Sequence, residues 1–293
     1  MKAVAAAASL LGALPLASAL AKGFNIAAER PDGSCKSAAD WDYNFKQMKA
    51  LPGSFTDVRV YAASDCNTLE LAVPAAKANN VKLLVGVWTQ NDDHFSQEKA
   101  ALERAIAANG VDWISGVSVG SEDLYRGETT ADIMAQKIYD VRGMISQDKY
   151  GGKNIKVGHV DTYNAYNASS AAVIKAADFI GMDAYPYWQG VTPDQGKATF
   201  QEALDTTQGF IDQFHPGAEL WITETGWPTA GPSFGNSHAS PANAQVFWKD
   251  VLCGLSKNYN TWWFTLRDYQ NAPASQAFGV LDQNFQPIFD LNC

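Results

Sequence analysis

Apolar runs alternate with amphipathic stretches along most of this 293-residue chain. The runs are Phe24 to Ala28, Val58 to Tyr61, Leu83 to Trp88, Ile114 to Val119, Val157 to Val160, Phe179 to Met182, Leu220 to Thr223 and Thr261 to Phe264. They are short and rich in β-branched and aromatic residues, which predicts strands. They are also nearly continuous in their apolarity, as strands buried on both faces of a parallel sheet are. The stretches Ser96 to Ala108, Thr130 to Ile145 and Phe200 to Phe214 carry helical spacing instead. Eight strand-then-helix units in this length predict a single α/β domain, a (β/α)8 TIM barrel. No linker or shift in composition divides residues 22–293, which read as one catalytic domain. Gly190 to Gly196 and Ala230 to Ala242 read as longer loops. The second follows strand seven, so it is expected to rim the active face.

The N-terminus reads as an address. Lys2 precedes an uncharged apolar run to Leu20, and Ala17-Ser18-Ala19 and Ala19-Leu20-Ala21 both fit the small-x-small cleavage rule. Residues 1–21 are expected to be a secretory signal, with the mature chain starting near Lys22. No second long apolar run follows, so a secreted protein, extracellular or in a cell wall, is expected.

Secretion changes how the four cysteines are read. An even count favours two disulfides, and four cysteines allow three pairings. Cys35 falls in the loop after strand one and Cys66 just after strand two, where neighbouring loops come within bonding range. Cys253 lies on the helix after strand seven, and Cys293 is expected beside a last helix. The favoured pairs are therefore Cys35–Cys66 and Cys253–Cys293. No CxxC pair suggests zinc, and His94, His159, His215 and His238 are scattered without ligand spacing, so no metal is expected. Asn167-Ala168-Ser169 is the one glycosylation sequon.

The formal net charge of −9 argues against nucleic acid and anionic membrane as partners. A neutral polymer fits it. Two carboxylates sharpen that reading. Strand four ends in Gly120-Ser121-Glu122-Asp123, and strand seven ends in Thr223-Glu224 before the turn residues Gly226 and Pro228. Barrel enzymes carry catalytic residues at the C-terminal ends of strands. Two carboxylates there are what glycoside hydrolysis requires, one as acid and one as nucleophile or stabiliser, about 5–5.5 Å apart when configuration is retained. Strand-end acids also serve as loop caps or surface charges, and Asp123 and Asp183 are read as structural. Arg59 on strand two is the candidate to keep Glu224 ionised, with an ordinary ion pair as the alternative. Tyr185, late in strand six, is the candidate to orient Glu224. Trp88, Trp188 and Trp227 are candidate sugar platforms or packing residues.

These segments resemble glycoside hydrolase family 17, the secreted fungal β-1,3-glucanases and β-1,3-glucanosyltransferases. Ile222-Thr223-Glu224-Thr225-Gly226-Trp227-Pro228-Thr229 is similar to the family signature, and Val119-Gly120-Ser121-Glu122 with Leu124-Tyr125-Arg126 to its acid/base segment. Val60-Tyr61-Ala62-Ala63-Ser64-Asp65-Cys66-Asn67-Thr68, Gly86-Val87-Trp88 and Gln245-Val246-Phe247-Trp248-Lys249 extend the likeness over nearly the whole mature chain. The resemblance implies a retaining mechanism without a cofactor, with Glu122 as acid/base and Glu224 as nucleophile. Tyr61, Trp88, Ser121 and Tyr125 then join Arg59, Tyr185, Trp188 and Trp227 as expected substrate-site residues. The implied partner is a β-glucan polysaccharide or oligosaccharide, and a monomer is expected. One departure follows strand eight. The family's glucanosyltransferases carry Phe-Glu-Ala-Phe-Asp there, whereas this chain has Phe264-Thr265-Leu266-Arg267-Asp268. That loop is expected to shape the acceptor side. Two other readings remain open: a glucan-binding wall protein without catalysis, and the same chemistry on β-1,4 or β-1,6 linkages.

Overall fold

A computed structural model describes residues 20–268 and 276–293. Eight parallel strands close in sequence order into a barrel. They are β1 (Lys22–Asn25), β2 (Asp57–Val60), β3 (Lys82–Val87), β4 (Ile114–Ser121), β5 (Val157–Thr162), β6 (Phe179–Asp183), β7 (Glu219–Glu224) and β8 (Thr261–Trp263). All eight predicted strands are present, displaced by a few residues at their ends. β1 meets β8 with Gly23 beside Trp262, which closes the ring.

Among the described residues seven α-helices cover the outside: α1 (Ala38–Ala50), α2 (Thr68–Asn79), α3 (Asp92–Asn109), α4 (Ala131–Ile145), α5 (Ala171–Ala176), α6 (Pro193–Phe214) and α7 (Pro241–Phe247). The predicted loop 190–196 is half helix. Thr192 and Gln195 form a capping box and Pro193 takes the first helical position, so α6 starts early. The eighth unit also departs from expectation. Among the described residues no helix follows β8, and Cys293 lies in irregular chain. The disulfides are nevertheless Cys35–Cys66 and Cys253–Cys293, each with Cα atoms 5.3 Å apart.

Two apolar cores result. The larger lies between strands and helices. The smaller joins Leu84, Phe179, Trp221 and Trp262, with the Phe179 and Trp221 rings stacked at 3.8 Å. These four residues sit early in their strands and fill the N-terminal part of the barrel. Polar Asn25, Arg59, Asp183 and Thr223 are buried later along the strands, toward the C-terminal mouth. The polar groups thus concentrate where the loops open.

Candidate active site

Glu122 and Glu224 line one depression of about 350 Å³ at that mouth, together with Tyr61, Trp88, Ser121, Arg126 and Phe264. Each carboxylate is placed by its own set of neighbours.

Glu224 ends β7. Arg59 Nη1 donates to its Oε1, and the Tyr185 hydroxyl donates to Oε2 at 2.7 Å. The Arg59 side chain is 1% exposed and fully engaged at both terminal nitrogens. Nη1 also donates to Asn25 Oδ1 at 2.8 Å, and Nη2 to Ser121 Oγ at 3.0 Å. Asn25 in turn donates to the carbonyls of Thr223 and Trp262. Burial opposes the Arg59 charge, but Glu224 and Asp183 outweigh it and hold the guanidinium pKa above its ordinary value. Beyond Glu224, Gly226 lets the chain pass β8: a Cβ there would sit 2.4 Å from the Phe264 carbonyl oxygen.

Glu122 follows β4 with φ +59°, a left-handed conformation that needs external support in a non-glycine residue. Three bonds supply it. Ser121 N–H donates to Asp123 Oδ2 at 2.7 Å, Glu122 N–H to the Val160 carbonyl at 3.0 Å, and Leu124 N–H to Asp161 Oδ2 at 2.9 Å. Asp161 also faces His159 Nε2, and His159 Nδ1 faces the Val119 carbonyl. Thr89 donates to Asp123. Gly120 before the loop has φ +74°, and a Cβ there would meet Asp123 Oδ2 at 2.3 Å. Arg126 donates to Glu122 Oε2 at 3.2 Å while its guanidinium lies over the Trp88 ring. Burial, then the charge of Glu224, push the Glu122 carboxyl up to about 7.

The wall beside Glu224 is tied from behind. The Cys35–Cys66 disulfide joins the loops after β1 and β2. The fully buried Glu98 carboxylate on α3 accepts from Ala63 N–H, Ser64 N–H, the Ser64 hydroxyl and Trp88 N–H. Asp65 and His94 lie within 4.8 Å of Glu98, so α3 does bring a histidine and two acids together. The four donors on Glu98 make that cluster a tie between loops. Lys36 Nζ donates to the carbonyls of Ala27 and Glu29, and burial pulls its pKa down to about 8.

A second depression of about 410 Å³ shares Glu122 with the first but lacks Glu224. Tyr125, Tyr163, Asp183, Tyr185 and Trp188 are among its lining residues. Trp188 is 43% exposed and Tyr125 58%. Trp227 is elsewhere. It is 1% exposed, packs edge-on against Tyr187 and tilted against Phe247, and donates through Nε1 to the His238 carbonyl. It is a core residue, and no face of its ring is open to a sugar. The chain turns at Gly226 and Pro228 back toward α7, which carries the indole under the loop. Thr265 is buried too, and its hydroxyl donates to the Asn25 carbonyl. Of that segment only Phe264 reaches the cleft, in the half that holds Glu224. Asn167 caps the turn Ala168–Ser170, its Oδ1 accepting from Ser169 N–H at 2.8 Å.

Sequence reasoning missed Asn25, Glu98 and Lys36 and gave His159 no part in the site, whereas its structural reading of Asp123 agrees with the bonds from Ser121 N–H and Thr89. Polar residues at alternate positions of an apolar strand, His159 and Asp161 in β5, were the available signal.

A closed parallel barrel with paired acids at its C-terminal mouth is the architecture of a glycoside hydrolase. Residues 23–285 match the family described as the BtgE/BtgC glycoside hydrolase domain, and the chain belongs to that family. A probable glucan endo-1,3-beta-glucosidase of Aspergillus fumigatus is 38% identical over 306 residues, covering 96% of this chain and 67% of the relative. A glucan 1,3-beta-glucosidase of Saccharomyces cerevisiae is 38% identical, covering 79% and 75%. The chain spans 60% to 67% of the length of the Aspergillus fumigatus and Aspergillus terreus relatives. A crystal structure of a glycoside hydrolase family 17 β-1,3-glucanosyltransferase from Rhizomucor miehei superposes with a TM-score of 0.81 at 30% identity, covering 92% of this chain and 98% of that one. An active-site mutant of the Rhizomucor enzyme was solved with laminaritriose.

Proposed function

We propose that this protein cleaves β-1,3-glucan with retention of configuration and passes the glycosyl unit to water or to another sugar. One observation carries the reading. Two carboxyls share a cleft but differ in setting: Glu224 is paired with Arg59 and Tyr185, while Glu122 is half-buried beside Arg126 and its carboxyl is pushed up to about 7 by burial and the Glu224 charge. That division assigns a nucleophile and an acid. Glu224 attacks the anomeric carbon as the glycosidic C–O bond breaks, and the Glu122 proton moves to the leaving oxygen. Forming the ester removes the Glu224 charge, so the Glu122 carboxylate is free to take a proton from the incoming hydroxyl. The incoming oxygen bonds to the anomeric carbon as the single Glu224-to-sugar ester bond breaks, so Glu224 is again a carboxylate and Glu122 again carries its proton.

The half of the cleft with both acids, Tyr61 and Trp88 receives the donor sugar. The half with Glu122 but not Glu224, next to Tyr125 and Trp188, receives the leaving group or acceptor. Phe264 then belongs to the donor side. Arg59 and Ser121 support Glu224 from within the barrel. The names of the Aspergillus, Saccharomyces and Rhizomucor relatives favour the β-1,3 linkage.

We read the protein as secreted to the fungal cell wall or beyond it and acting as a monomer. Among the described residues no helix is long and apolar enough to cross a membrane. Of the two leader cuts, the one after Ala19 keeps Ala21, whose N–H donates to Asn260 Oδ1 and whose carbonyl accepts from Thr261 N–H. These two bonds favour the cut after Ala19.

The test is a time course of the purified protein and of Glu224→Gln on a linear β-1,3-gluco-oligosaccharide. Shorter products from the wild type alone support hydrolysis, and longer ones support transfer. No products from the wild type would overturn the substrate and send the search to β-1,4 or β-1,6 linkages, or to binding without turnover.

A further inference from the structure

The acceptor half of the cleft does not end at Trp188. A third depression of about 450 Å³ adjoins it, and Tyr125 and Asn164 line both. The three depressions therefore form a chain, joined first through Glu122 and then through Tyr125 and Asn164. Tyr125 stands on the ridge between the second and third, with more than half of its surface open.

The chemistry changes along this chain. Glu29, Asp65, Glu122, Arg126 and Glu224 line the first depression. The third has no Asp, Glu, Lys or Arg among its described lining residues. Its polar groups are hydroxyls and amides, from Thr129, Thr130, Asn164 and Ser169 among others, with the Tyr125 ring at one end. An uncharged, hydroxyl- and amide-lined hollow on a protein of net charge −9 matches a neutral polyhydroxylated ligand. An aromatic ring beside such polar groups offers an apolar face and fixed hydrogen-bond partners together.

We propose that this third depression is a distal acceptor subsite for the same β-glucan chain, past the units held at Tyr125 and Trp188. The inference rests on the functional reading above. Its consequence is kinetic. A sugar chain anchored there holds its reactive hydroxyl at Glu122 longer than a short acceptor does, so binding away from the reacting bond favours transfer over capture by water. Asn167 lines the same hollow, so a glycan on it would start within the subsite.

The test uses enzyme freed of N-glycans and linear β-1,3-gluco-oligosaccharides of increasing length. The readouts are kcat/KM for consumption and, by mass spectrometry in ¹⁸O-water, the bond cleaved in each. The wild type is expected to gain about tenfold in kcat/KM at the length that reaches the hollow. Cleavage should shift to leave more units beyond Glu122. Thr129→Trp, which fills the hollow, is expected to flatten that gain, read as the ratio of long to short substrate. If this variant does not fold, Thr129→Asp puts a charge in the same place and is read in the same way. A wild-type rate that ignores length overturns the subsite, as does a Thr129 variant that keeps the full gain. Both results leave the β-1,3-glucan reading standing. No turnover at any length sinks both.

Discussion

His159 and Asp161 form a buried pair on alternate positions of β5, with Nε2 and Oδ2 at 3.1 Å and neither side chain exposed. The other ring nitrogen faces the Val119 carbonyl at 2.7 Å. A carbonyl only accepts, so Nδ1 carries a proton, and Nε2 is left to share its contact with Asp161 Oδ2. Asp161 then holds the Leu124 N–H just past Glu122. A ring two residues along the strand thus steadies, through Asp161, the loop that carries the acid.

Burial disfavours the His159 charge, but the hydrogen bond and charge of Asp161, with Asp123 nearby, raise its pKa above 6.5. A raised histidine contributes stability that is full below its unfolded pKa and is lost as pH rises through its folded one. Asp161, Asp123 and Tyr166, whose hydroxyl donates to the His159 carbonyl, are the titratable groups that bear on it. Urea melts of the wild type should therefore weaken as pH rises above 6.5, and melts of His159→Gln should show a flatter profile. His159→Ala leaves the buried Asp161 carboxyl without its ring partner and is expected to cost about 3–5 kcal/mol. In the Gln variant kcat should fall with little change in KM. A loss confined to stability would remove His159 from any part in placing Glu122.

The acid limb of catalysis has its own signature. Glu122 must be protonated to act, and its carboxyl is pushed up to about 7. The kcat/KM of the free enzyme should fall as pH rises through about that value. Part of the shift comes from the Glu224 charge, so Glu224→Gln should lower the Glu122 pKa. A ¹³C NMR titration of the labelled carboxyl checks this. An unmoved value would mean that burial alone sets it.

Trp227 and Trp188 separate packing from binding. Trp227→Ala empties a core site and is expected to cost about 3–5 kcal/mol, with KM for short oligosaccharides little changed in the folded fraction. Trp188→Ala, at an exposed position in the acceptor half, should leave the melting temperature nearly unmoved and raise KM. Reversed outcomes would exchange their roles.

Cys35 and Cys66 are 31 residues apart in sequence. The chain-entropy relation gives such a closure about 3–4 kcal/mol. The double Ser variant should lose about that much in denaturant melts. Because the bond joins the two loops behind the donor half, its kcat on β-1,3-glucan should fall as well. Full activity at reduced stability would confine the disulfide to the fold.

Much of this was legible along the chain, for physical reasons that differ by level. Eight apolar runs report burial on two faces, which requires no knowledge of partners. Glu122 and Glu224 were visible because each follows a strand and precedes turn residues. Trp227 was misplaced by the same logic: being next to the nucleophile in sequence says nothing about which way the chain turns after Gly226. Thr265 likewise stood in a cleft-forming segment and turned inward to Asn25. Asn25, Glu98 and Lys36 were silent because their partners are mostly backbone groups, some brought together only by closure of the barrel. That no helix follows β8 among the described residues left no mark, since irregular chain with Phe285 and Phe289 carries apolar residues as a helix would.

The ties formed by Glu98, Lys36 and Cys35–Cys66 all lie on one side of Glu122, and the exposed rings of Tyr125 and Trp188 lie on the other. One bank of the groove is thus a fixed mould, and the other is a landing with room to adjust. On the proposed reading, substitutions on the exposed bank should disturb the fold less than substitutions on the tied one.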